Sequence, residues 1–133
     1  MMRSGLVFAG ANRVWSEEWG RTDNEGILTA NEVSNLNMKN TSLIVLSACE
    51  TGLGDIKGSE GVYGLQRAFK MARVRYIIMS LWQVPDKETQ EFMTTFYSKL
   101  MKTKDVRLSF TDTQKEMRKK YDPFYWAAFV LVE

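Results

Sequence analysis

The only cysteine of the chain, Cys49, follows the apolar run Leu43-Ile44-Val45-Leu46-Ser47-Ala48 and opens a loop punctuated by Gly52 and Gly54. Such a run reads as a buried strand whose carboxyl end presents a thiol, and open α/β sheets bind their ligands outside the carboxyl ends of their strands. The attacking species of a cysteine nucleophile is the thiolate, which normally needs an adjacent base to form at neutral pH. The chain contains no histidine. Cys49 thus has a nucleophile's setting without the residue that usually activates one, and by type alone it equally suits a small buried hydrophobe.

Other cysteine and glycine chemistries fail on spacing. A tyrosine-phosphatase loop needs arginine six residues past the cysteine, where Asp55 stands, and no Gly-Lys-Ser or Gly-Lys-Thr follows the glycines as a P-loop requires. Gly52 and Gly54 are left with a steric role, letting the backbone turn sharply beside the thiol so that a substrate chain can approach. Glu50 and Glu60 flank the loop without forming an acid–base pair: Glu60 fits a first helical turn, where its charge favours the dipole, and Glu50 faces solvent. The second candidate is Asp86, at the end of Trp82-Gln83-Val84-Pro85-Asp86. Its carboxylate can cap a helix or pair with an arginine or lysine guest, and one group can do both. Trp82 reads as a core or pocket-wall residue, and Arg67 as a partner for a carboxylate inside the fold or for a helix end.

The elements that must position these residues alternate in type. Leu6–Ala9 is a short strand candidate, and residues 12–26 read as a surface loop or irregular hairpin in which Trp15 and Trp19 pack locally. Thr29-Ala30-Asn31-Glu32 has the capping-box form and opens a brief helix ending near Leu36. After the Cys49 strand and loop, Val62, Leu65, Phe69 and Ala72 make a helical stripe over 60–72, beside a small-residue stripe of Gly61, Gly64 and Ala68 that predicts close approach to another element. Arg75–Leu81 is the next strand. Asp86 is expected to cap a helix running to about Met101, with Phe92, Met93, Phe96, Tyr97 and Leu100 on one face, and Val106, Phe110, Met117 and Tyr121 mark a last helix stopped by Pro123. Tyr125–Val132, apolar on both alternating faces, reads as a doubly covered strand of parallel type. Helix-length connections between buried strands predict right-handed crossovers and an α/β three-layer sandwich on a mostly parallel sheet.

Composition narrows the function classes. The 133 residues, 44% hydrophobic and 26% charged, suit one globular domain rather than a disordered or coiled-coil chain. A net charge of +2 argues against a nucleic-acid or membrane surface, and the basic run Arg118-Lys119-Lys120 reads as a solvated helix end. No apolar run approaches the roughly 20 residues that span a bilayer, and the first residues show no signal pattern, so the expected location is cytoplasmic. One cysteine and no histidine predict neither an internal disulfide nor a metal site, and no cofactor is expected.

Four blocks carry a family resemblance: 43–54 around Cys49, 58–69, Ser80–Asp86 and Tyr125–Val132, with Ser4–Asn12 and Gly26–Val33 adding to it. In this order they resemble the CHAT domain, a caspase-like peptidase domain related to separase and often found after tetratricopeptide repeats. The resemblance spans residues 1–133 and implies that Cys49 is the nucleophile, with its backbone N–H one donor of the oxyanion hole. It also implies that Asp86 helps to hold a basic side chain just before the scissile bond. The family's base is a histidine in a His-Gly pair on the strand preceding the cysteine strand. In caspases it lies about 50 residues upstream. The chain has 48 residues before Cys49 and no histidine, so it is expected to be the C-terminal half of the domain. Against the family pattern, Ala72-Arg73-Val74 lacks the usual glycine after its helix, predicting a left-handed turn strained by about 1 kcal/mol, and Asp122-Pro123 replaces the usual His-Pro.

The expected function is that of a caspase-like cysteine endopeptidase fragment, inactive alone, acting on protein or peptide substrates after a basic residue. The competing class is a non-catalytic interaction module with an inert cysteine; a redox-sensing thiol is a third. Without its histidine strand, Leu43–Ala48 is expected to leave an apolar sheet edge that either self-associates or is covered by Leu6–Ala9.

Overall fold

The computed structural model describes residues 5–8, 26–46 and 58–133. Its strands are β1 (Gly5–Val7), β2 (Ile27–Thr29), β3 (Leu43–Leu46), β4 (Tyr76–Ser80) and β5 (Phe129–Val132). Its helices are α1 (Ala30–Ser34), α2 (Gly58–Met71), α3 (Asp86–Thr103), α4 (Val106–Lys120) and α5 (Pro123–Trp126). The fold is α/β with two small sheets, an antiparallel β1–β2 ribbon and a three-stranded sheet in the order β3-β4-β5.

The mostly parallel expectation is corrected in that second sheet. β3 runs parallel to β4, pairing Leu43 with Tyr76 through Leu46 with Met79, whereas β5 runs antiparallel, pairing Ile77 with Val132 through Ser80 with Phe129. Only the last four residues of Tyr125–Val132 form strand. Pro123 begins a short helix at its N1 position, where a missing N–H costs nothing, and that helix turns the chain back along β4. The apolar pattern predicts packing on two faces, and β5 does pack on both, with Phe129 buried and Val130, Leu131 and Val132 half-buried, but the pattern carries no information on strand direction. This small, mixed sheet does not by itself establish a caspase-like three-layer sandwich.

Alternation along β4 divides the core. Ile77 and Met79 join Ala30, Val33, Leu65, Ala68 and Phe69 in one cluster, while Ile78 joins Phe92, Phe96, Phe110, Met117 and Phe129 in another. Gly64 and Ala68 are buried, and Ala68 meets Ala30 and Val33, so the small-residue stripe lets α2 approach α1. The second cluster centres on Phe92, stacked on Phe129 at 4.3 Å and edge-on to Phe110 at 5.7 Å.

Two helix ends follow the sequence closely. Thr29 and Glu32 make the full capping box, and the end of α2 is a Schellman turn in which Arg73 N–H reaches Lys70 C=O and Val74 N–H reaches Phe69 C=O. Arg73 accordingly adopts φ 73°, the left-handed conformation expected at this glycine-less turn. The Lys70 ammonium closes the motif on the Val74 and Arg75 carbonyls, each at 3.2 Å.

Among the described residues only β4 pairs with β3, and all four β3 side chains are half-buried where four of the five in β4 are buried. The proposed cover is corrected: β1 pairs with β2 instead.

Candidate functional site

The candidate site is the edge onto which the carboxyl ends of β3 and β4 open. Because the two strands are parallel and in register, Leu46 lies beside Met79 and the carboxyl ends of both strands lie at the same edge. After β3 the sequence reaches Cys49 three residues on; Cys49, Glu50, Gly52 and Gly54 lie outside the described residues, as do Trp15 and Trp19.

The segment after β4 is held by several local bonds. Ser80, itself buried, donates its hydroxyl to the Trp82 carbonyl, and Leu81 N–H reaches the Ala128 carbonyl at 2.9 Å. The Trp82 indole N–H donates to the Phe124 carbonyl at 2.9 Å, with the two rings stacked at 6.2 Å. Trp82 is therefore fixed in place yet 38% exposed, so its free surface is the ring and not the N–H. Val84 is buried and anchors the turn into α3, its carbonyl accepting from the Thr89 hydroxyl at 3.3 Å.

Asp86 does not cap α3 as expected. Pro85 occupies the N-cap position, with extended ψ 146°, and Asp86 is the first helical residue. Its exposed carboxylate has no ion-pair or hydrogen-bond partner among the described residues and lies in the first turn of α3, where its charge favours the helix dipole. The structure thus brings Trp82 and Asp86 into one short connection at the carboxyl edge. Arg67 is exposed and has no ion pair among the described residues.

Sequence reasoning missed Phe124, 52% exposed and stacked on Trp82, which extends through Tyr125 to Tyr121 as a line of aromatic contacts. Its only signal was the density of aromatics after Pro123. That line ends at Glu91, whose carboxylate accepts from the Tyr121 hydroxyl at 2.5 Å and from Lys120 at 2.9 Å. These bonds, Tyr121's first, hold the Glu91 carboxyl below its ordinary pKa, and the same bond raises that of Tyr121. Among the described residues no cluster of metal-ligating side chains occurs, and no helix is long and apolar enough to cross a membrane.

A family model, the CHAT domain, matches residues 1–133. Tetratricopeptide repeat protein 28 of Mus musculus and that of Homo sapiens are each 29% identical to this chain over 111 residues. The aligned region is 81% of this chain but only 4% of either relative. No solved structure matches the chain.

Proposed function

The chain belongs to the CHAT domain family, and from that premise we propose that it carries the nucleophile portion of a caspase-like cysteine endopeptidase acting after a basic residue. The observation that supports this most is the parallel, in-register pairing of β3 with β4. Adjacent parallel strands open onto one edge, and the segments that follow them hold Cys49 after the first and Trp82 and Asp86 after the second. The fold that accompanies this reading is the caspase-like three-layer sandwich.

In this mechanism the Cys49 thiolate adds to the carbonyl carbon of the scissile peptide, and the oxygen that becomes negative is stabilised by the Cys49 backbone N–H. Asp86 receives the arginine or lysine side chain that precedes the bond, and the Trp82 ring walls the peptide. The C–N bond then breaks, the amine departs, and water hydrolyses the Cys49 thioester to release the acid and the free thiol; the thiol must lose a proton, the amine must gain one, and the attacking water must lose one. No histidine is present to perform these transfers. The chain alone is therefore inactive, and activity requires a base from outside these residues. The relatives' name links them to tetratricopeptide repeats, and we extend that association to this chain as a source of protein contacts in a longer polypeptide.

The test supplies the family's His-Gly segment in trans and measures cleavage of fluorogenic peptides bearing Arg, Lys or Ala before the scissile bond. Cleavage of the Arg and Lys peptides, lost in Cys49→Ala, is the expected result. Absence of cleavage despite demonstrated association of the two segments favours the second reading, a non-catalytic interaction module, which the lack of histidine independently suggests.

A further inference from the structure

We propose that the outer edge of β5, on the opposite side of the sheet from β3, is a docking site for an extended acidic peptide segment that adds to the sheet as a further strand. The inference does not depend on the peptidase reading. A groove of about 400 Å³ runs between this edge and α4, lined by Arg107, Phe110, Thr111, Gln114, Leu131 and Glu133 among others.

The register determines which backbone groups face the groove. Leu81 N–H bonds the Ala128 carbonyl, so the residues of β5 that share bonds with β4 are Val130 and Val132, and the N–H and C=O of Phe129 and Leu131 point outward. The Phe129 carbonyl is already taken, by the Gln114 side chain at 3.0 Å. For Leu131 neither group has a partner among the described residues. One residue of an antiparallel segment can exchange two hydrogen bonds with it, the main-chain contribution in strand addition.

Charge defines the guest. Arg107, Thr111 and Gln114 line the groove from α4, and Arg118 follows them at the same helical spacing beyond the end of the groove. Arg107 is held by Glu133 through Nε at 2.9 Å and Nη2 at 2.5 Å, but the two side chains are 68% and 43% exposed. The pair is bidentate but open to solvent, so an incoming carboxylate can exchange with Glu133 by reproducing the same two bonds to Arg107. Arg118 is exposed and has no ion pair among the described residues. Side chains of an added strand alternate: one set meets α4, and the other continues the apolar face of Val130 and Val132. The favoured segment therefore alternates acidic with β-branched residues.

The probe is a fluorescein-labelled octapeptide of alternating Val and Glu, with a Val–Lys octapeptide as comparison, titrated against the full chain by anisotropy. Leu131→Pro removes an outward N–H that takes no part in the β4 ladder, and proline is tolerated at such edge positions. The expected results are saturable binding of the glutamate peptide, at least tenfold weaker in Leu131→Pro, and a preference reversed toward the lysine peptide in Arg107→Glu. The second variant keeps the test intact should the proline variant not fold. Absence of saturable binding, or binding unchanged in both variants, overturns the proposal. So does a dimer of the chain that Leu131→Pro dissolves while the peptide fails to bind, which would assign the edge to a second copy.

Discussion

At the residue scale, Asp86 combines a fixed backbone with a charge that has no partner among the described residues. Its position as the first residue of α3 is set by Pro85 and by the buried Val84, so substituting its side chain leaves the turn intact. Asp86→Asn therefore should change the stability by no more than about 0.5 kcal/mol, as for an ordinary surface change. In the reconstituted peptidase it should lower kcat/KM for Arg and Lys peptides at least tenfold while sparing an Ala peptide. Equal loss on all three peptides would remove Asp86 from recognition. The residue was legible through the resemblance of Ser80–Asp86 to a family block, its local chemistry alone indicating only a helix cap, and that cap was misread: a proline preceding an aspartate can itself occupy the N-cap. Phe124 was not legible, because its stacking on Trp82 depends on a contact 42 positions apart in the chain.

Elements show where local signals suffice and where they do not. The capping box of α1 and the left-handed turn after α2 were both readable, since each is specified by four or five consecutive residues. The turn also yields a measurable expectation: Arg73 holds φ 73° without being glycine, at a cost of about 1 kcal/mol. Arg73→Gly should raise the thermal midpoint by roughly 3–5 °C, and a fall would show that the arginine side chain makes a compensating contribution. The direction of β5 was illegible for the converse reason. Its residues say only that both faces are buried, and the antiparallel return is decided by α5, four residues long, in a stretch whose composition resembles strand. β3 presents the same limitation at its far edge. Parallel pairing turns the N–H and C=O of Leu43 and Val45 away from β4, since Ser42 C=O accepts from Tyr76 and alternate residues follow. An apolar strand whose outward groups have no strand partner among the described residues favours association. Sedimentation velocity of the chain should show concentration-dependent dimers, diminished in Val45→Pro, and a monomer at all concentrations would refute association through β3.

On the scale of the whole molecule, a few exposed charge clusters tie together elements that the two core clusters bury separately, and this makes stability depend on pH at both ends. Glu32, Glu91, Glu116 and Glu133 all have carboxyl pKa values lowered from 4.5, chiefly by hydrogen bonds from Thr29, Tyr121, Lys99 and Arg107 respectively. A carboxylate with a lowered folded pKa contributes stability that is present above its unfolded value and lost as pH falls through the folded one. Unfolding should therefore become easier below about pH 4.5, in steps too small to assign individually because all four groups are solvent-screened. The basic limb has the opposite sign. Tyr121 is raised from 10.0 and Lys120 from 10.5, both first by hydrogen bonds to Glu91, so their contribution is complete below those values and is lost as pH rises through the folded ones. Glu91 thus links α3 to the end of α4 in both limbs, and a single substitution should register in each. In Glu91→Gln the urea midpoint should fall modestly at neutral pH, and its dependence on pH should flatten both below about 4.5 and above about 10 relative to the unsubstituted chain. A variant whose pH profile merely runs parallel to the original, displaced by a constant, would mean that the Glu91–Tyr121–Lys120 cluster is not formed in the folded molecule in solution.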